Sequence, residues 1–138
     1  YGEAPIKEAI DGLGKKNIIV CGTETHVCVL QTCIQLKEAG YHCSLVNARF
    51  VKPLDTEMLD HLTEQHKLIV TIEENVRSGG FGEHVTDYLM RTGSDARVQI
   101  LALPDEYIEH GNVEVLHKET GLDVETMTAK IRKLYETL

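Results

Sequence analysis

A chain of 138 residues with 42% hydrophobic and 26% charged side chains is long enough for one domain around one buried core. Its net charge of -8 disfavours binding to nucleic-acid phosphates, which needs clustered Lys and Arg. The longest apolar runs, Ile18–Cys21 and Leu68–Ile72, are far too short to cross a bilayer.

Short β-branched runs alternate with longer amphipathic stretches, the pattern of parallel βαβ units. Ile6, Ala9, Ile10 and Leu13 have helical spacing over 3–13, and Gly14 is a stop for that helix. Residues 17–22 (NIIVCG) read as a buried strand. A helix capped near Thr25 runs to about Ala39 and stops at Gly40, and His42–Val46 is the second strand. Asp55 caps a helix to about Gln65. Residues 67–73 (KLIVTIE) are the third strand, and the loop Ser78-Gly79-Gly80-Phe81-Gly82 opens a helix over 82–92. Arg97–Ala102 is the fourth strand, ended by Pro104-Asp105, with helices over 112–119 and 123–137. Right-handed crossovers then predict an α/β fold, a three-layer αβα sandwich. Its sheet has about four parallel strands in the order 2-1-3-4. The order reverses between strands one and three, so a crevice is expected beyond their carboxyl ends, bringing residues 22–28 beside 73–82.

Four cysteines stand at 21, 28, 33 and 43 without a C-x-x-C pair, so neither a zinc ribbon nor a redox motif is indicated. Cys21 ends one strand and Cys43 begins its parallel neighbour, which separates them beyond disulfide reach. The opening YGEAPIKEAIDGL is acidic and helix-like rather than a secretory leader. Reduced thiols in a cytoplasmic setting are expected. Cys28 falls in the first turn of its helix, where amides and the helix dipole lower a thiol pKa; the plainer role is a small packing residue.

Glu73, Glu74 and Asn75 follow strand three at the crevice. Paired carboxylates can do acid–base work, but consecutive residues on extended chain point in opposite directions. One glutamate capping a helix, or pairing with a base, is the simpler outcome. Gly79, Gly80 and Gly82 at a helix start could cradle an anion, or could serve a close approach of helix and sheet. The seven histidines are scattered, His61 and His66 five apart, so each reads as a surface histidine and no metal site is indicated.

Two stretches carry family resemblances. From Lys15, KKNIIVCGTETHVCVLQTCIQLKEAGYHCSLV resembles the nucleophile segment of isochorismatase-like cysteine hydrolases. That resemblance implies Cys28 as the catalytic thiol and the turn Gly22, Thr23, Glu24, Thr25 as the oxyanion site. The family's aspartate and lysine partners come from earlier strands that have no counterpart here. From Asn47, NARFVKPLD, LIVTIEENVRSGGFGEHV and LALPDEYIEHGNVEVLHKETGL resemble the C-terminal domain of 1-deoxy-D-xylulose-5-phosphate synthase, a transketolase-type enzyme. There thiamine diphosphate is bound by other domains, with magnesium held by a Gly-Asp-Gly motif that this sequence does not contain. The resemblance implies dimer contacts and architectural support.

The expectation is therefore a chimeric, engineered single domain over 1–138, hydrolase-like over 1–46 and transketolase-like over 47–138. Its join falls in strand two at Leu45–Ala48, with its weak point where the helix of the first part meets new neighbours. It is expected to bind no cofactor, nucleic acid or membrane, to lack turnover of its own, and to pair as a homodimer through the transketolase-like surface. The alternatives are a residual cysteine hydrolase acting through Cys28 and a dimerising fragment of the synthase.

Overall fold

The computed structural model describes residues 18–22 and 28–138. The helix expected over 3–13, and Thr23, Glu24 and Thr25, lie outside them.

Four strands, β1 (Ile18–Gly22), β2 (Cys43–Asn47), β3 (Leu68–Val76) and β4 (Arg97–Leu103), form one parallel sheet in the order β2-β1-β3-β4. Five helices connect or follow them: α1 (Leu30–Glu38), α2 (Thr56–Gln65), α3 (Phe81–Thr92), α4 (Val113–Thr120) and α5 (Val124–Tyr135). The α/β fold and the strand order match the expectation.

The reversal of strand order decides which face each helix covers. The chain steps one way from β1 to β2, then the other way to β3 and β4, and right-handed crossovers put those connections on opposite faces. Two cores result. Val20, Leu68, Val70 and Ile72 pack with Cys33 and Leu36 of α1 and with Met127 and Ile131 of α5. Their sequence neighbours Cys21 and Ile69 face Leu59 and Leu62 of α2 and Phe81, Val85 and Leu89 of α3. The period-two alternation of the strands thus sends Val20 and Cys21 to opposite sides and splits LIVTIEE between them.

Local chemistry fixes the helix ends. Asp55 accepts from the Met58 amide at 3.0 Å, Asn112 from Glu114 at 2.9 Å and Asp123 from Thr126 at 3.0 Å. Gly40 (φ 88°) closes α1, with its own amide and that of Tyr41 returning to Lys37 and Leu36. The expected start near Thr25 lies outside the described residues. A single wider π-type turn at residues 28–29 leads into α1, whose regular part begins at Leu30.

The contact between α1 and α5 was the expected weak point, yet it is closely packed. Thr32, Cys33 and Leu36 are buried there, and the Thr128 hydroxyl donates to Gln35 Oε1 at 3.0 Å. Tyr41 and Tyr135 meet edge to face with ring centroids 5.2 Å apart, and the Arg132 guanidinium lies over Tyr41.

His66 departs from the expected surface histidine. It is 8% exposed, with Nδ1 3.0 Å from the Leu62 carbonyl and Nε2 3.0 Å from the Ser44 hydroxyl. A neutral ring satisfies both bonds, with Nδ1 donating to Leu62 and Nε2 accepting from Ser44. Burial holds the His66 pKa below its ordinary 6.5, aided by the nearby His61. Because the folded state binds this proton less well than the unfolded chain, stability is fully present above about pH 6.5 and declines as pH falls through the folded value. Urea unfolding at pH 7.5 and 5.5 should show a larger loss for the native protein than for His66→Gln. Equal losses would contradict this assignment.

Candidate functional site

The residues expected around the crevice sit on two elements, the end of β3 and the start of α3. β3 extends to Val76, so Glu73, Glu74 and Asn75 lie within the strand rather than after it. A register irregularity between Ile72 and Val76 marks where pairing with β4 loosens.

Glu73 is 4% exposed and points to the α3 side of the sheet. Its two carboxylate oxygens accept from the Phe81 amide at 2.7 Å and the Gly82 amide at 2.8 Å. These are among the first amides of α3, which have no partner inside the helix. Glu73 therefore caps α3 from a neighbouring strand, at the positive end of the helix dipole. Glu83 reaches back to the Gly79 amide at 2.7 Å. The glycine-rich start that could have cradled a bound anion is closed by the protein's own carboxylates.

The glycines follow from this closeness. A Cβ on Gly80 would lie 2.7 Å from Glu73 Oε2 and from the Val76 carbonyl. On Gly82 it would lie 2.5 Å from Thr71 Oγ1 and 2.7 Å from Ile100 Cγ2. Gly79 instead has open space and a left-handed φ of 71°. Gly82 lies inside α3, which begins at Phe81, one residue before the expected start at 82.

Glu74 points the other way and is half exposed, with Oε1 2.9 Å from His117 Nε2 on α4. Glu73 and Glu74 thus stand on opposite faces of the sheet and share no reacting centre. Asn75 is exposed.

Cys28 is half-buried at the π-type turn, packed against the core on the α1–α5 face, and its carbonyl accepts from the Thr32 hydroxyl at 2.8 Å. Gly22 ends β1 beside Ile72 and Asn47. No disulfide joins the four cysteines, and the register places Cys21 opposite Val46 rather than Cys43, as the strand reading required. Burial pushes the thiols of Cys21 and Cys43 up to about 12, and that of Cys33 higher still, helped by its cysteine neighbours. Alkylation at pH 8 followed by mass spectrometry should modify the half-buried Cys28 and Cys43 before Cys21 and Cys33, which react only as the fold opens. Equal rates at all four would contradict this burial pattern.

Half of the expected crevice, residues 23–27, lies outside the described residues, and the clefts among the described residues are lined mainly by other side chains. One of about 610 Å³ runs beside β4, between Arg77 and Glu83 on one side and Gly121 and Lys130 on the other. A smaller apolar one of about 210 Å³ opens between Cys21, Val46, Phe50, Met58 and Phe81. None of Cys28, Glu73, Glu74, Asn75, Gly79, Gly80 and Gly82 lines either cleft. Sequence reasoning missed both, because each is made by side chains distant in the chain and carries no local motif.

Among the described residues no helix is long and apolar enough to cross a membrane, and no cluster of three His, Cys, Asp or Glu could hold a metal.

Comparison with known proteins places this arrangement. The transketolase C-terminal domain family matches residues 7–127. The match runs through residue 46 without a break, and nothing found supports a hydrolase-like component in the first segment. The 1-deoxy-D-xylulose-5-phosphate synthase of Clostridium tetani is 41% identical over 129 residues, which is 92% of this chain and 20% of that protein. The synthase of Clostridium beijerinckii is 35% identical over 96% of this chain and 22% of its own length. The chain thus spans about a fifth of these relatives. Among solved structures, a split-gene transketolase described as an inactive β4 tetramer superposes with a TM-score of 0.77 at 25% identity, over 87% of this chain and 39% of that one. The transketolase of Campylobacter jejuni, at 12% identity and TM-score 0.56, shares the fold. With its four-stranded parallel sheet in the order 2-1-3-4 and a match across most of its length, the chain belongs to the transketolase C-terminal domain family.

Proposed function

We propose that this domain is an assembly and support module of a synthase of the 1-deoxy-D-xylulose-5-phosphate type, without chemistry of its own. The observation that carries this reading is Glu73. The most buried carboxylate of the expected crevice is bound through both oxygens to the α3 amides, and is not presented to a substrate.

Thiamine diphosphate with magnesium, the cofactor that the family resemblance implies for the whole enzyme, does not fit the described residues. A diphosphate needs open amides or cations, and the α3 amides are taken. A divalent metal needs clustered oxygen ligands, which the described residues do not gather. The cofactor's chemistry is assigned to other domains of the full-length relatives.

The neighbourhood of Cys28 gives no support to a thiol hydrolase. Its helix is packed into the core, with Cys28 itself half-buried against it. The domain is expected to act by pairing, in the cytoplasm, with a second copy.

Isothermal titration of the purified chain with thiamine diphosphate and magnesium should give no heat of binding. A burst assay with a chromogenic ester should show no acyl-enzyme, and sedimentation should show dimers at high concentration. Cofactor binding or a burst abolished by Cys28→Ser would overturn the reading.

A further inference from the structure

We propose that a second copy of this chain docks along the outer edge of β4, joining two four-stranded sheets into one of eight strands. The inference rests on the pairing role above and names its surface.

Among the described residues β4 pairs only with β3, so one side of it is an open edge. The Arg97 amide donates inward to the Lys67 carbonyl at 2.8 Å. In a strand, alternate residues turn their amide and carbonyl to opposite sides, so Val98, Ile100 and Ala102 turn theirs outward. The outward Ile100 carbonyl is met by the side-chain amide of its own neighbour Gln99 at 3.3 Å, a long bond that a partner strand would replace. The cleft of about 610 Å³ lies along this edge, lined by consecutive β4 residues from Gln99 to Leu103. β4 contains no proline, and Pro104, which has no amide to donate, falls just beyond it.

Charge selects the occupant. Arg97 stands exposed at one end of β4, and Asp105 and Glu106 stand exposed just past the other. None of the three makes an ion pair among the described residues. A two-fold axis through Ile100 runs the two β4 strands antiparallel, with Val98 opposite Ala102 and Ile100 opposite itself. Every outward amide and carbonyl then meets a partner. The same operation brings each Arg97 opposite Leu103, beside the acidic turn of the other copy, and symmetry makes the contact twice. A strand with a cation at its start and anions after its end is complementary to its own antiparallel copy. Parallel stacking would set like charges together.

Sedimentation equilibrium of the 138-residue chain at low and high salt tests this, with circular dichroism confirming that each variant is folded. Arg97→Glu should weaken dimerisation about tenfold, and Arg97→Glu with Asp105→Arg should return it to within about threefold of the native value. Ala102→Pro removes only an outward amide and should abolish pairing. If that variant does not fold, the charge-reversal cycle still decides. A dimer indifferent to these changes would overturn the β4 edge while leaving the assembly reading intact. A chain monomeric at all concentrations would overturn both.

Discussion

Glu73→Ala is expected to destabilise the domain by about 3 kcal/mol, because two buried amides at the start of α3 lose their only acceptor and the helix dipole loses its counter-charge. For a chain of this size that lowers the melting temperature by roughly 10 °C. Glu73→Gln should cost about 2 kcal/mol, since an amide offers one acceptor where two are needed and turns its own N–H groups toward donors. Glu74→Ala is the control. Its partner is His117 on the opposite face and its side chain is half in water, so its loss should cost no more than about 0.5 kcal/mol. Urea unfolding of the three variants measures the contrast. Comparable losses at positions 73 and 74 would remove the capping role. Added formate should recover part of the stability of Glu73→Ala, by filling the vacated carboxylate position, and none of that of Glu74→Ala.

Gly82→Ala should cost about 3 kcal/mol for a different reason. Its methyl group would press on Thr71 of a central strand and on Ile100 of β4, neither of which can move without moving the sheet. Gly79→Ala meets no atom within 4 Å and suffers only backbone strain at φ 71°, about 1 kcal/mol. Chemical denaturation of the pair separates contact from conformation. A Gly82 variant as stable as the native protein would show that α3 does not rest on the sheet as closely as described.

The strand order could be read from the chain because the β-branched runs and helical spacings are unambiguous and crossover handedness leaves few topologies. Asp55 and Gly40 act at the helix ends where capping chemistry predicted them. The division of labour between Glu73 and Glu74 was also legible, since extended chain sends neighbours to opposite faces. Which of the two would be buried was not, because that depends on α3 crossing β3 at Gly82. The length of β3 was underestimated, as the polar run EEN carries no strand signal of its own. His66 was read as a surface residue because its partners, Ser44 and the Leu62 carbonyl, come together only once β2 and α2 are in place. Residues 15–46 misled in a more instructive way. A strand, turn and helix of one family can share a local pattern with another, and the motif around Cys28 says more about that shared unit than about chemistry. The family match, continuous from residue 7 to 127, decides the membership that the motif could not.

The claim that this domain supports rather than binds a ligand depends on the α3 amides being already occupied. Recording the Phe81 and Gly82 amide resonances while phosphate or thiamine diphosphate is added tests this most directly. The expected result is two strongly hydrogen-bonded amides that do not move at millimolar ligand in the native protein, and that respond to phosphate once Glu73 is alanine. Saturable shifts of both amides in the native protein would mean that Glu73 yields to an outside anion, and the domain would then have to be regarded as a ligand-binding one.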